Sequence, residues 1–293
     1  MFDELIKTIK KQKPKKILLQ LPDGLKTRAI DILNEIENEK IDVILSNDTC
    51  YGACDLRERE AKMLGCDLIV HIGHNKFYKN IKTKIPVIYY PGKIDTGLNN
   101  IDFSKIKENK LGLITTIQYI NLLKDVAELL KKENKKPIIG GQILGCWIEN
   151  AKKIANKVDA FLFIGTGKFH SLGIVGKKVY VLDLEKQNIE VADTTIFEKR
   201  RYANIFKAKD AKVFGIIVSS KLGQYNIQKA EKIKKIIEKN HKKAFILIMD
   251  EIKDEKLLGL HFDAYINTAC PRIIDDKFSK PIINDKDIKE LFL

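Results

Sequence analysis

The chain predicts an α/β protein of three similar small domains, each a mainly parallel four-stranded sheet flanked by helices. Three observations lead there. Short runs such as 16–21 (KILLQL), 67–72 (DLIVHI) and 159–164 (DAFLFI) are apolar almost throughout, as expected of parallel strands buried on both faces. These runs alternate with segments of helical spacing, which argues for strand–helix–strand units. The order of elements then restarts twice along 293 residues, which divides the chain at 1–105, 106–209 and 210–293.

In the first domain a helical opening segment precedes strand 16–21. Residues 24–38 carry Leu25, Ile30, Ile32, Leu33 and Ile36 at helical spacing, and strands follow at 42–46 (DVILS), 67–72 and 86–90 (PVIYY). The second domain starts with strand 111–115 (LGLIT) and a helix over about 117–132, followed by strands 137–139, 159–164 and 178–182 (KVYVL). A basic helical stretch at 195–210 leads to the third, with strand 213–219 (VFGIIVS), helix 226–239, strands 244–249, 263–266 and 281–283, and a terminal helix. Identity between the domains is too low to mark a repeat, so the repeat lies in element order.

Composition narrows the class. Hydrophobic residues at 44% and charged residues at 31% suit a soluble chain with a full core. No apolar run approaches the roughly 18 residues of a membrane span. The opening MFDELIKTIKKQKPKK has no continuous apolar stretch of the kind a secretory signal carries. A cytoplasmic protein is expected. The formal charge is +14, but only six of the 53 basic residues are Arg, leaving 47 Lys. Nucleic-acid readers more often cluster Arg and interleave aromatics. A Lys-rich solvated surface, of the kind heat-adapted chains carry, is the simpler reading, and no direct nucleic-acid role is expected.

The cysteines fall at 50, 54, 66, 146 and 270, an odd number with no disulfide framework. Cys66, between Leu64 and Leu68, reads as core packing. The others lie just past predicted strands, in Thr49-Cys50-Tyr51-Gly52-Ala53-Cys54-Asp55, Gly145-Cys146-Trp147 and Asn267-Thr268-Ala269-Cys270-Pro271-Arg272. Ligands of open α/β sheets bind outside the carboxyl ends of the strands, and the small neighbours Gly52, Ala53, Gly145 and Ala269 allow close approach of a bulky inorganic group. Three thiolates meeting at one centre suit an iron–sulfur cluster with one open iron better than a closed zinc site, which needs four ligands. Scattered core cysteines, or a short metal knuckle ending in Cys50 and Cys54, remain open on spacing alone. The loop Gly165-Thr166-Gly167 with Phe169 and His170 is of a type that cradles nucleotides. Pro22-Asp23-Gly24 reads as a turn, His71 as a core histidine, and His74, just after Gly73, as better placed to face the centre.

Gln20-Leu21-Pro22-Asp23-Gly24-Leu25, Tyr51-Gly52-Ala53-Cys54-Asp55, His71-Ile72-Gly73-His74, Gly145-Cys146 and Asn267 to Arg272 together resemble the archaeal branch of the diphthamide-synthesis family, in motif order and over nearly the whole chain. The resemblance implies three α/β domains around a central 4Fe–4S cluster held by Cys54, Cys146 and Cys270, with Cys54 preferred over Cys50 because the family motif centres on Tyr-Gly-Ala-Cys. It implies reductive cleavage of S-adenosylmethionine and transfer of its 3-amino-3-carboxypropyl group to a histidine of translation elongation factor 2, the first step to diphthamide. It further implies a homodimer, an electron donor, no membrane, and cofactor contacts at Gln20, Asp23, Gly165, Gly167 and His170. Lys168, Lys221 and Arg272 are expected on a basic rim. No CxxxCxxC string is present. Two other readings compete: a quinolinate-synthase-like enzyme using the open iron as a Lewis acid, which the scarcity of Arg disfavours, and a basic RNA- or ribosome-associated protein.

Overall fold

The computed structural model describes residues 2–76, 81–94, 96–98, 101–167, 169–174, 176–193 and 195–292. Two compact units emerge, one of 1–93 with 221–224 and one of 94–220 with 225–293. The first unit holds β1 (Lys16–Gln20), β2 (Asp42–Ser46), β3 (Leu68–Ile72) and β4 (Val87–Tyr90) in the order β2-β1-β3-β4, all parallel. Helices α1 (Asp3–Gln12), α2 (Ala29–Glu37) and α3 (Glu58–Met63) flank it. Leu5 and Ile9 of α1 and Ile32 and Ile36 of α2 pack on Ile17, Leu19, Val70 and Ile72. The helix expected from residue 24 begins instead as a 3-10 turn, Asp23–Arg28. Gly24 and Thr27 are weak helix formers, which leaves the tighter turn competitive there.

The second unit contains two sheets. One has β5 (Lys110–Thr115), β6 (Lys136–Gln142), β7 (Ala160–Gly165), β8 (Val179–Asp183) and β9 (Asn188–Val191) in the order β6-β5-β7-β8-β9. It contains the four expected parallel strands and, in addition, β9, which folds back antiparallel on β8. Its signal was only NIEV after a four-residue turn, with Ile189 buried and Val191 exposed. Helices α4 (Leu122–Lys132) and α5 (Glu149–Ile154) cover this sheet. The other sheet is β11-β10-β12-β13, from β10 (Val213–Ser219), β11 (Lys243–Met249), β12 (Ala264–Asn267) and β13 (Ile282–Asn284), again all parallel. Of its helices, α6 (Thr195–Ala208) and α7 (Ile227–Lys239) bury Ile205, Ala208, Ala230, Ile233 and Ile237 against Phe214 and Ile266. Arg201 of α6 pairs with Asp287 at 2.8 Å and with Glu290 of α8 (Ile288–Leu291).

The repeat hidden at the level of identity is visible in side chains. An aspartate just ahead of the third strand of each sheet accepts from the backbone N–H groups that open the first. Asp67 takes Lys15 and Lys16, Asp159 takes Lys110, and Asp263 takes Lys212 and Val213, at 2.8–3.2 Å. Between the same strands the second and third sheets share a glycine–aromatic pair, Gly112 beside Phe161 and Gly215 beside Tyr265, where the first sheet has Leu18 beside Ile69. A Cβ on Gly112 or Gly215 would lie 2.6 Å from its aromatic neighbour, so the glycine makes the room that the ring fills. Among the described residues no helix is long and apolar enough to cross a membrane.

Candidate functional site

In the first unit the loop leaving β2 carries Cys50 and Cys54. Asp55 N–H closes a turn on the Gly52 carbonyl at 2.9 Å, which leaves Cys54 half-buried at the surface of the loop. The segment Lys221–Gln224 clamps it. Gly223 N–H donates to the Cys54 carbonyl at 2.9 Å, and Gln224 Nε2 lies 3.4 Å from Cys54 Sγ. A Cβ on Gly223 would lie 2.5 Å from Cys54 Cα, so no larger residue fits. Asp55, 1% exposed, receives Lys221 Nζ at 2.6 Å and faces Arg57 at 3.6 Å. Gln20 completes the clamp: its Nε2 donates to the Asp55 carbonyl, and its Oε1 accepts Arg57 N–H, both at 3.0 Å. Burial pushes the Cys54 thiol above its ordinary range, while the Gln224 amide and the Lys221 charge pull the other way.

Cys50 turns inward. It is buried and pushed up to about 12, chiefly by burial. Its Sγ lies 3.9 Å from His71 Nε2, and His71 Nε2 lies 3.1 Å from His74 Nδ1. Burial lowers His71 to about 3, with help from His74, and lowers His74 to about 4. The turn between the two rings needs Gly73, with φ of +90°, because a Cβ there would meet Pro22 Cγ at 2.7 Å. The Pro22-Asp23-Gly24 and His71-Ile72-Gly73-His74 motifs therefore touch. Cys66 packs in the core with Leu18, Ala61 and Ile69, as expected.

In the second unit Gly145 and Cys146 form the tip of a tight hairpin closed by Leu144 N–H to the Trp147 carbonyl (2.8 Å) and the reverse bond (3.1 Å). Gly145 N–H donates to His170 Nδ1 at 3.0 Å, and Phe169 stands where a Cβ on Gly145 would reach, at 2.9 Å. Cys270 opens the 3-10 turn Pro271–Asp275, and its carbonyl accepts from Asn267 Nδ2 at 2.8 Å. Arg272 connects the two cysteines. Its guanidinium lies 4.7 Å from the Phe169 ring centre, 5.3 Å from that of Phe197, and 2.8 Å from Asp275. Burial lowers its pKa, while Asp275, Cys270 and Cys146 favour the charged form. By the same attraction Arg272 stabilises both thiolates. Its Nε is buried with no hydrogen-bond partner among the described residues, a donor suited to an anionic group beside two cysteines.

Cys54, Cys146 and Cys270 are the partly exposed cysteines, whereas Cys50 and Cys66 are buried. Soft, half-exposed thiols beside Lys221 and Arg272 fit an anionic iron–sulfur cluster. The expected cofactor contacts divide. Gln20 and His170 hold the backbone of the Cys54 and Cys146 loops. Asp23 is exposed and paired with Lys26 at 2.7 Å. Gly165 ends β7 against Phe163 and Tyr119, and Gly167, at φ of +68°, has open space where a side chain would stand. Lys168 lies outside the described residues. Lys221, expected on an exposed rim, is buried in its ion pair because Asp55 draws it in. Arg272 is packed between aromatic rings rather than standing on a rim. The sequence reading missed Gln224, Gly223, Arg57 and Phe197; only the glycine just past a strand end, in Ser220-Lys221-Leu222-Gly223, offered a signal.

Residues 21–291 match the family model described as putative diphthamide synthesis protein. The chain is 35% identical to a 2-(3-amino-3-carboxypropyl)histidine synthase of Pyrococcus horikoshii, over 98% of this chain and 89% of that protein. It is 34% identical to the Methanocaldococcus jannaschii protein of the same description, over 98% and 87%. Among solved structures it resembles the crystal structure of Dph2 from Pyrococcus horikoshii with 4Fe-4S cluster, with a TM-score of 0.88, 35% identity, and coverage of 98% of this chain and 89% of that one. With the family model matching residues 21–291 and a relative 35% identical over 98% of this chain, the chain belongs to the diphthamide synthesis family.

Proposed function

We propose that the chain is a transferase that cleaves S-adenosylmethionine and moves its 3-amino-3-carboxypropyl group to a histidine of translation elongation factor 2, opening diphthamide synthesis. One observation carries this reading: partly exposed Cys54, Cys146 and Cys270 each leave the carboxyl end of a parallel strand, in a chain 35% identical to a synthase of that activity. The three thiolates would hold a 4Fe–4S cluster, leaving one iron without a protein ligand. When bound, that cluster supplies one electron to the sulfonium of S-adenosylmethionine.

The chain's own residues do the rest. Gln20, Gly223 and Gln224 fix the Cys54 loop, His170 fixes the Cys146 loop, and Asn267 fixes Cys270. Arg272 and Lys221 place positive charge beside the thiolates. The Gly165–Gly167 loop, open at Gly167, lets a nucleoside approach the backbone and orients the sulfonium so that its bond to the γ-carbon is the one aligned for cleavage. Asp23, just past β1 in the first unit, is a further candidate contact. The working form is a homodimer of three-domain chains, divided near 105 and 209, served by a one-electron donor protein. The test is chromatography of nucleosides after the reduced, cluster-loaded enzyme meets S-adenosylmethionine and elongation factor 2. We expect 5′-methylthioadenosine and a modified factor; 5′-deoxyadenosine as the main product, or a protein that takes up no iron, overturns the reading.

A further inference from the structure

We propose that Cys50, His71 and His74 form a second, mononuclear metal site in the first unit, a three-ligand site for zinc(II) separate from the cysteines assigned to the cluster. The donor atoms of these three residues all lie within 4.8 Å of one another. Tetrahedral zinc with bonds of about 2.0–2.1 Å to nitrogen and about 2.3 Å to sulfur sets its nitrogens about 3.3 Å apart and each nitrogen about 3.6 Å from sulfur. Here His71 Nε2 and His74 Nδ1 are 3.1 Å apart, and Cys50 Sγ is 3.9 Å from His71 Nε2. The Cys50–His74 separation is no more than 4.8 Å, against about 3.6 Å in a tetrahedral site, so side-chain rotations that move the donors by about 1 Å bring all three to coordination distance.

The scaffold is built for this. His71 sits in β3, and Cys50 lies on the loop after β2, the strands on either side of β1 in one sheet. Gly73, at positive φ and held by Pro22, folds His74 back beside His71. His71 and His74 are set by a strand and a constrained turn, and the loop after β2 supplies Cys50. Two imidazoles and a thiolate are borderline-to-soft donors, which favours zinc over magnesium or calcium. On binding, the Cys50 thiol releases its proton. The ring proton shared across the 3.1 Å contact moves to the far nitrogen of its ring. Three protein ligands leave a fourth position for water or a substrate atom, on the partly exposed side of His74.

The experiment uses the full chain. Reconstituted wild-type protein is analysed for iron, sulfide and zinc, beside Cys50→Ser, His74→Gln and, as control, Cys66→Ala. We expect one zinc per chain in addition to the cluster. Cys50→Ser and His74→Gln should lose the zinc and keep the iron, and Cys66→Ala should keep both. In parallel, cluster-free Cys54→Ser/Cys146→Ser/Cys270→Ser protein is titrated with cobalt(II). Tetrahedral absorption with one cobalt per chain should appear, be displaced by zinc, and weaken roughly a hundredfold or more when His74→Gln is added. Circular dichroism reports whether each variant folds. Absence of zinc from folded wild type, or cobalt binding unchanged by His74→Gln, overturns the proposal. Loss of iron rather than zinc in Cys50→Ser also overturns it, by making Cys50 a cluster ligand. Failure of the three-cysteine variant to lose iron would instead overturn the cluster assignment.

Discussion

Gly223→Ala is a small change with a large expected effect. The added Cβ would lie 2.5 Å from Cys54 Cα, 2.6 Å from its Cβ and 2.9 Å from its carbonyl oxygen, whereas ordinary contact begins at 3.4 Å. Relief requires the two backbones to part by 3.4 − 2.5 = 0.9 Å, since no rotamer can turn this clash away. Opening along the Gly223 N–H to Cys54 carbonyl bond would stretch it from 2.9 Å to about 3.8 Å, past the useful range of a hydrogen bond. Overpacking of this kind costs about 1–3 kcal/mol. A ligand displaced by about 1 Å costs on the order of a hundredfold in rate. The variant should melt several degrees lower, bind less iron after reconstitution, and form 5′-methylthioadenosine between ten and a hundred times more slowly. Gly259→Ala, where the Cβ meets nothing within 4 Å, is the control. Wild-type iron content and turnover in Gly223→Ala would refute the idea that this glycine sets the Cys54 loop.

Further outcomes follow from the same structure. Lys221→Met removes the 2.6 Å ion-pair partner of buried Asp55 and should cost about 3 kcal/mol in urea unfolding; adding Asp55→Asn should restore much of it, and a double variant no better than the single would count against the pairing. Gly215→Ala, 2.6 Å from the Tyr265 ring, should destabilise by about 1–3 kcal/mol, and Gly215→Ala with Tyr265→Ile should recover part of that in a thermal melt. Hydrogen bonds from Lys212 and Val213 lower the Asp263 pKa, so its contribution is present above the unfolded carboxylate pKa near 4 and lost as pH falls through the lower folded value. Asp263→Asn should therefore lower the unfolding free energy in urea by about 1 kcal/mol at pH 7 and by progressively less as the pH is taken below 4; a loss independent of pH would exclude the ionic contribution.

What could be read without a structure follows from where the information sits. Continuous apolar runs report parallel strands directly, so of the thirteen strands among the described residues only the antiparallel β9 was not expected. Four of the five cysteines were legible as a group because each follows such a run. The clamps were not. Lys221 meets Asp55 across 166 residues, and nothing local in Ser220-Lys221-Leu222-Gly223-Gln224 names a partner. Gln20 and His170 are expected as cofactor contacts on the resemblance, and no local feature of the sequence marks them as holding a loop backbone. In the structure their polar atoms bind the cysteine loops.

The unequal cysteine spacing has a topological cause. Cys54 and Cys146 follow β2 and β6, the second strands of their sheets in chain order and in each case an edge strand; they are 92 residues apart. Cys270 follows β12, the third strand of its sheet, and so comes 124 residues after Cys146. The loop after the third strand holds His74 in the first sheet, Gly167 in the second and Cys270 in the third. The corresponding loop after the second strand of the last sheet begins at Asp250, with no cysteine. Three repeats with one architecture thus carry different chemistry at equivalent loops. That division lets the first repeat combine an outward thiol at Cys54 with an inward Cys50, His71 and His74 group, while the last repeat contributes a thiol and the Arg272 charge from a single turn. A strictly three-fold arrangement would present three identical loops and leave nothing to distinguish the place of a substrate from the place of a ligand. Departure from the repeat, rather than the repeat itself, is where function is written in this fold.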